Sequence, residues 1–350
     1  KMGRLKLTYP EFTDQDEFPL VPFLFGPNGE NLYDSSAIAR WLDVNIEDSS
    51  HKRSQHIGSQ HKITNPNNDD KLYFLIQLID EYFDEFGLYM VHHSRWKTAA
   101  KDNTAGRRLA NEMPMISAPF RSLIANFFSA RQVRRLPYLF SNAPQAFHID
   151  GLRSDRQPPN HQNSPATHDL LEQSYINILK ALEGIFSQRP YLFGNYFTLA
   201  DASLYGQLGM NLSDPSAAQW IKEQAPNVFT WLSHIHQGEF SRPSRTAEFM
   251  IDDVLRPLIA EISRIYYPLM QQNEVAYLKH KNAGETQFNE AAFWQGKSLY
   301  QGILDGQPFS NVAKSFQVKT WQHVKHSWQA LTAAEQEELQ QQFETISPLA

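Results

Sequence analysis

Cysteine is absent from the 350 residues. That removes disulfide frameworks, thiolate metal ligation and any mechanism running through a cysteine of this chain. Long apolar runs are missing too, and none reaches the roughly 18 residues of a membrane-spanning helix. Lys1 to Pro10 lack the apolar stretch and small-residue cleavage site of a secretory leader. Positive charge is not in excess. The 32 Lys and Arg face 38 Asp and Glu, a net −6, which argues against non-specific nucleic-acid binding. The expectation is a soluble, cytoplasmic protein with no membrane span and no nucleic-acid partner. Apolar residues supply 41% of the chain and aromatics 13%, enough for sizeable cores, and the length suits about two domains.

The first residues mix strand and helix. Arg4-Leu5-Lys6-Leu7-Thr8-Tyr9 alternates polar and apolar until Pro10 stops it, the period of a half-buried strand. Leu20 to Phe25 and Asn31-Leu32-Tyr33 flank the turn signal Gly26-Pro27-Asn28-Gly29 and predict a hairpin. Asp34-Ser35-Ser36 then offers capping side chains to a helical stretch, Ala37 to Leu42. Residues 45–70 are polar and read as a linker. Its His51, His56 and His61 are spaced by five, which does not put them on one helix face, so a metal site is not expected.

From about residue 70 the pattern is helical. Leu72, Leu75, Ile76, Ile79, Phe83 and Phe86 mark one face of a helix running to about Trp96. Leu171 to Ile185 and Leu255 to Leu269 repeat that spacing. Residues 141–168, rich in proline and polar side chains, read as a long surface loop. Asp305-Gly306 centres a second hairpin. Thr332 and Glu335 form a capping box for a last helix. Trp294, Trp321 and Trp328 read as core aromatics. Residues 95–135 hold nine Lys or Arg against two acids. That run is either a solvated face or an attractor for an anionic substrate or an acidic partner surface. No internal repeat is found.

Two segments go beyond composition. One is Val21-Pro22-Phe23-Leu24-Phe25, a turn, and Asp34-Ser35-Ser36-Ala37-Ile38. The other is Leu192-Phe193-Gly194, Thr198-Leu199-Ala200-Asp201 and Leu204-Tyr205-Gly206-Gln207-Leu208, followed by Asp214-Pro215, Ala225-Pro226 and Trp231. In order and separation they resemble the cytosolic glutathione transferases, of the bacterial type with a long C-terminal extension. The resemblance implies an α+β, mostly α fold. Residues 1–46 would be a partial thioredoxin-like glutathione-binding domain. Residues 47–250 would be the all-helical second domain, and 251–350 a helical extension with a small hairpin packed on it.

The resemblance also implies a site. The backbone of Val21, before Pro22, would pair with the cysteinyl backbone of glutathione like an added strand. Asp34 would take the γ-glutamyl ammonium, and Ser35, with Ser36 beside it, the carboxylate at a helix N-terminus. The plain alternatives are an edge-strand proline and helix capping alone. Tyr82, Phe86, Tyr89 and His93 would face the cleft for an electrophilic substrate, with core packing as the competing role. Thr198 and Asp201 form a capping box with Asp in place of Glu, a structural motif.

The residue that activates the thiol in such proteins has no match here. Only about twenty residues precede Val21-Pro22, and Arg4 to Tyr9 suits the second strand of a thioredoxin-like domain, so its first strand and helix are unmatched. Either the native polypeptide extends upstream of Lys1, which its start at Lys favours, or this is a short form. The implied function is conjugation of glutathione, as co-substrate and without a metal, to an electrophilic small molecule by a homodimer. A non-catalytic binding or scaffold protein of the same family is the alternative.

Overall fold

The computed structural model describes residues 22–26, 28–45, 62–150, 152–157, 164–239 and 248–348. The predicted strand Arg4–Tyr9, residue Val21 and the three linker histidines lie outside them.

The chain enters through an antiparallel hairpin, β1 (Phe23–Phe25) and β2 (Asn31–Tyr33), in the register Phe23↔Tyr33 and Leu24↔Leu32. Gly29 sits at φ +92°, the left-handed conformation that the turn demands. Asp34 is also left-handed, at φ +76°, and its carboxylate accepts the Ser36 amide at 3.2 Å. An Asp tolerates that backbone because its short side chain bonds locally. It starts α1 (Ser35–Asn45). At the far end of α1, Asp43 accepts both the amide and the hydroxyl of Thr64, at 2.8 and 2.7 Å, tying the helix to the first described residues after the linker.

Asp69 then caps α2 (Asp70–Tyr82), which continues through a π-helical turn, Phe83–Gly87, into α3 (Leu88–Lys97). A Cβ on Gly87 would stand 2.9 Å from the Phe83 ring, so any larger residue there would have to displace that ring. Every residue of α2 from Phe74 to Tyr82 is buried. The sequence period predicts one apolar face; the structure covers all of them. Next come α4 (Ala105–Asn111), α5 (Ala118–Arg134) and the short α6 (Leu136–Leu139). The predicted surface loop that follows is partly an interior one. Asn142 and Thr167 are buried, and the Asn142 amide donates to the Thr167 hydroxyl at 2.8 Å, because the stretch has to bring α7 back against α3.

The next four helices are α7 (His168–Phe186), α8 (Leu199–Leu208), α9 (Pro215–Gln224) and α10 (Pro226–His236). Three of them start on the motifs read from sequence. At α8 the Asp201 carboxylate accepts the Thr198 amide and hydroxyl, at 2.9 and 2.8 Å, and the Leu192 amide at 2.9 Å. At α9, the fully buried Asp214 binds the Arg95 guanidinium and accepts the Thr104 amide at 2.7 Å, joining the ends of α3, α4 and α9. At α10, proline opens the helix. Trp231, further along it, donates its indole N–H to the Pro190 carbonyl at 2.9 Å.

The last hundred residues do not form a separate body. They comprise α11 (Arg256–Glu261), a second π-turn at Ile262–Tyr266, α12 (Tyr267–Asn282) and α13 (Glu290–Trp294). The hairpin β3 (Leu299–Leu304) and β4 (Gln307–Val312) follows, then α14 (Ser315–Gln329) and α15 (Ala333–Gln342). Asp305 and Gly306 take φ +49° and +72°, as a two-residue hairpin turn requires. One apolar core includes residues from Leu72 to Ile346. In it α14 lies along α2, with Phe74 and Trp328 rings 5.0 Å apart, and the second π-turn packs on the end of α2, where Tyr82 stands edge-on to Tyr266 at 5.9 Å. Trp321 and Trp328 are core as read, but Trp294 is not. It is 47% exposed, because α13 is a single short turn on the surface.

Replacing Asp201 with Ala removes one capping bond set and strands the buried Leu192 and Thr198 amides. Unfolding free energy should fall by about 2–3 kcal/mol in urea titrations. An unchanged midpoint contradicts the assigned role.

Candidate functional site

The hairpin register decides where the sequence-predicted residues fall. One step beyond the Phe23–Tyr33 pair are Pro22 and Asp34, which therefore end the hairpin on the same side. Ser35 follows, exposed at the N-terminus of α1. Ser36 is only 2% exposed and turns inward against α2, beside Asp80 and Asp84. At this end of the hairpin Pro22 and Ser35 are exposed and Asp34 is half-buried, while Ser36 is enclosed.

The α1–α2 contact is dense in acid. Asp80 and Glu81 are buried, and burial pushes both carboxyls well up; each also raises or is raised by a neighbouring carboxylate. The Arg40 guanidinium lowers both, and donates to the Gln77 amide oxygen at 2.9 Å. Asp84 is pushed up to about 6, chiefly by burial, against a pull from its Gln207 hydrogen bond. This corner is electronegative and suits an ammonium group better than an isolated anion.

Next to it, a cavity of about 780 Å³ opens between β2, the π-turn, α3, α6 and the extension. Tyr33, the neighbour of Asp34, is in its wall. So are Asp84 and Glu85 of the π-turn, Leu88 and Tyr89 of α3, and Tyr138, Trp294 and Phe316. Cations come from Arg131, Arg135 and Lys314. Arg131 and Arg135 both reach the Glu290 carboxylate, at 3.4 and 2.9 Å. Part of this basic run, read from sequence as a solvated face or an attractor for an anion, is thus paired with an acid of the chain's own extension. A wider groove of about 930 Å³ lies between α4, α8 and α10. Its most enclosed cation, Arg95, is already held by Asp214, so it offers less chemistry.

Of the four residues read as facing a cleft, Tyr89 reaches the cavity. Tyr82 and Phe86 have no exposed surface and pack in the core, and His93 is enclosed, its ring 2.7 Å from that of His168. The helix turns them inward because α7, α8, α14 and the second π-turn cover the faces on which they lie. Burial holds His93 well below the usual imidazole range and His168 at about 4, so the pair is neutral at ordinary pH. Lys314, Gln317 and Glu290 escaped the sequence reading, whereas Arg135 belongs to the basic run read from it. No local motif marks them, and Lys314 meets Tyr89 across more than two hundred residues of chain.

Residues 165–234 match the family model of the glutathione S-transferase C-terminal domain. No curated protein and no solved structure matches the chain. The matched stretch runs from α7 into α10 and lies behind the cavity: its Gln207 donates to Asp84 at 3.4 Å. The α1 corner and the cavity lie outside the matched stretch. Among the described residues no group of side chains could hold a metal ion, and no helix is long and apolar enough to cross a membrane.

Asp84 supplies a pH test. Its carboxyl rises from 3.8 to about 6 on folding, so the folded state holds an extra proton between those values. The associated stability is full below about 4 and lost as pH rises through 6. Asp84→Asn removes this dependence. Its stability relative to the parent should climb by roughly 1–3 kcal/mol between pH 4 and pH 8. Parallel pH–stability curves for the two proteins would show that the carboxyl is not shifted.

Proposed function

We propose that this protein binds glutathione at the open end of the first hairpin and conjugates its thiolate to an electrophilic small molecule held in the adjoining cavity. What supports this reading is Pro22, Asp34 and Ser35 at one end of a hairpin whose Tyr33 walls a cavity, in a chain whose residues 165–234 match the glutathione S-transferase C-terminal domain. The hairpin and α1 are read as the closing part of a thioredoxin-like domain. In that reading Val21 and Pro22 present backbone to the cysteinyl residue, as an added strand. Asp34 takes the ammonium of the γ-glutamyl end, in an acidic corner that favours a cation. The Ser35 hydroxyl and the first amides of α1 take the carboxylate. Ser36 positions these groups from behind. The sulfur then lies toward the cavity, where it forms a bond to an electrophilic carbon as the leaving group departs. A cytoplasmic setting, reducing enough to keep glutathione a thiol, fits a chain without cysteine.

A homodimer belongs to the same proposal. Phe120, Leu123 and Phe127 recur at three and four residues along α5 and are 59%, 64% and 71% exposed. A stripe of that kind marks an association surface.

Calorimetric titration with glutathione should give saturable heat in the millimolar range or tighter. Asp34→Asn keeps the left-handed backbone but loses the charge, and should weaken binding about tenfold, with Ser35→Ala costing several-fold. No heat for the parent protein contradicts the reading. Conjugation of a chloronitrobenzene electrophile then separates catalysis from binding alone. Leu123→Asp should convert a dimer to a monomer in sedimentation; a parent protein that is already monomeric removes the dimer.

A further inference from the structure

Lys314 is the least expected group in the cavity wall. It is 7% exposed, and it comes from the extension, directly before α14. Its backbone is clamped: Asn273, fully buried, accepts the Lys314 amide at 2.9 Å and donates to its carbonyl at 2.9 Å. Its ammonium lies over the Tyr89 and Tyr138 rings, 4.4 and 5.0 Å from their centres. It donates to the Tyr89 hydroxyl at 2.5 Å, and Gln317 donates to the same hydroxyl at 2.7 Å. The Tyr89 oxygen thus accepts from two donors, and its own O–H is left to give.

We propose that Lys314 and Tyr89 form an anion site in the cavity and that the second substrate is an aromatic compound bearing an anionic group, its ring beside Leu88, Tyr138 and Phe316. The proposal rests on reading this cavity as the substrate cleft, and extends it to the kind of molecule that enters. Cation–π contact and one hydroxyl are weak compensation for a buried ammonium, so an entering anion completes the site. The charged groups facing it are Glu85, which favours the ammonium, and Arg135, which opposes it, with Asp84, Arg131 and Glu290 further along the wall. Burial already brings the amine down to about 7, so anion binding should draw a proton onto it.

The probes are 2-naphthoate and its uncharged counterpart 2-naphthamide, titrated without glutathione in two buffers of different ionisation enthalpy. Naphthoate should bind at least about tenfold more tightly than the amide. Its binding should take up a proton near pH 7.5 and none at pH 5, where the amine is already charged. Lys314→Met should abolish both the preference and the uptake. Equal affinity for the two probes, unchanged uptake in Lys314→Met, or no binding at millimolar naphthoate overturns the proposal. If Lys314→Met does not fold, the pH dependence of uptake in the parent decides the matter alone. Glutathione titration does not involve Lys314, so the two readings fail separately.

Discussion

A helix enclosed on every side must find a partner for each charge that it carries, or hold that group uncharged. The rod from Asp70 to Lys97 is under this constraint, and much of the molecule is arranged around it. Asp80 and Glu81 fall in its most buried stretch, so α1 brings Arg40 and Ser36 to them, and their carboxyls are held up in the protonated direction. The π-turn then places Asp84 and Glu85 where the rod emerges at the cavity. The hairpin is positioned through α1, and α1 through these polar contacts. The site is therefore built outward from the least solvated part of the fold.

The extension follows from the same constraint. A helix with apolar residues all round cannot be left with one face in water, and α14 covers the face that α7 and α8 leave. Covering it brings Lys314 and Gln317 to Tyr89, and α13 brings Glu290 to the two arginines. The last hundred residues thus finish the core and furnish one wall of the cavity. The helices α7 to α10 contribute mainly the frame behind it.

What could be read from sequence was whatever local chemistry dictates. The Asp305-Gly306 turn, the Thr198–Asp201 and Thr332–Glu335 boxes and the Asp34 start of α1 depend on residues within a few positions of one another, and they stand where the spacing puts them. The helical periods of residues 72–96, 171–185 and 255–269 likewise report a local repeat. Gln77, Asp80 and Glu81 are buried although polar side chains on a helix ordinarily mark a solvated face, and here they mark an internal contact. Tyr82 and Phe86 mislead in the opposite sense: an aromatic near a cleft and an aromatic in a core have the same spacing. Lys314 was invisible because its meaning comes entirely from Tyr89, Tyr138 and Asn273, none of them near it in the chain. The burial of Asn142 and Thr167 was hidden for the same reason.

The central claim is that one ligand lies across two neighbouring places, the acidic open end of the hairpin and the aromatic cavity beside it. The most direct measurement is a crystal structure of the protein grown with S-benzylglutathione. The account predicts the γ-glutamyl end on Asp34 and Ser35, backbone pairing next to Pro22, and the benzyl ring in the cavity against Leu88 and Tyr138. A ligand seated in the groove between α4, α8 and α10, or crystals with both places empty at saturating ligand, would contradict it.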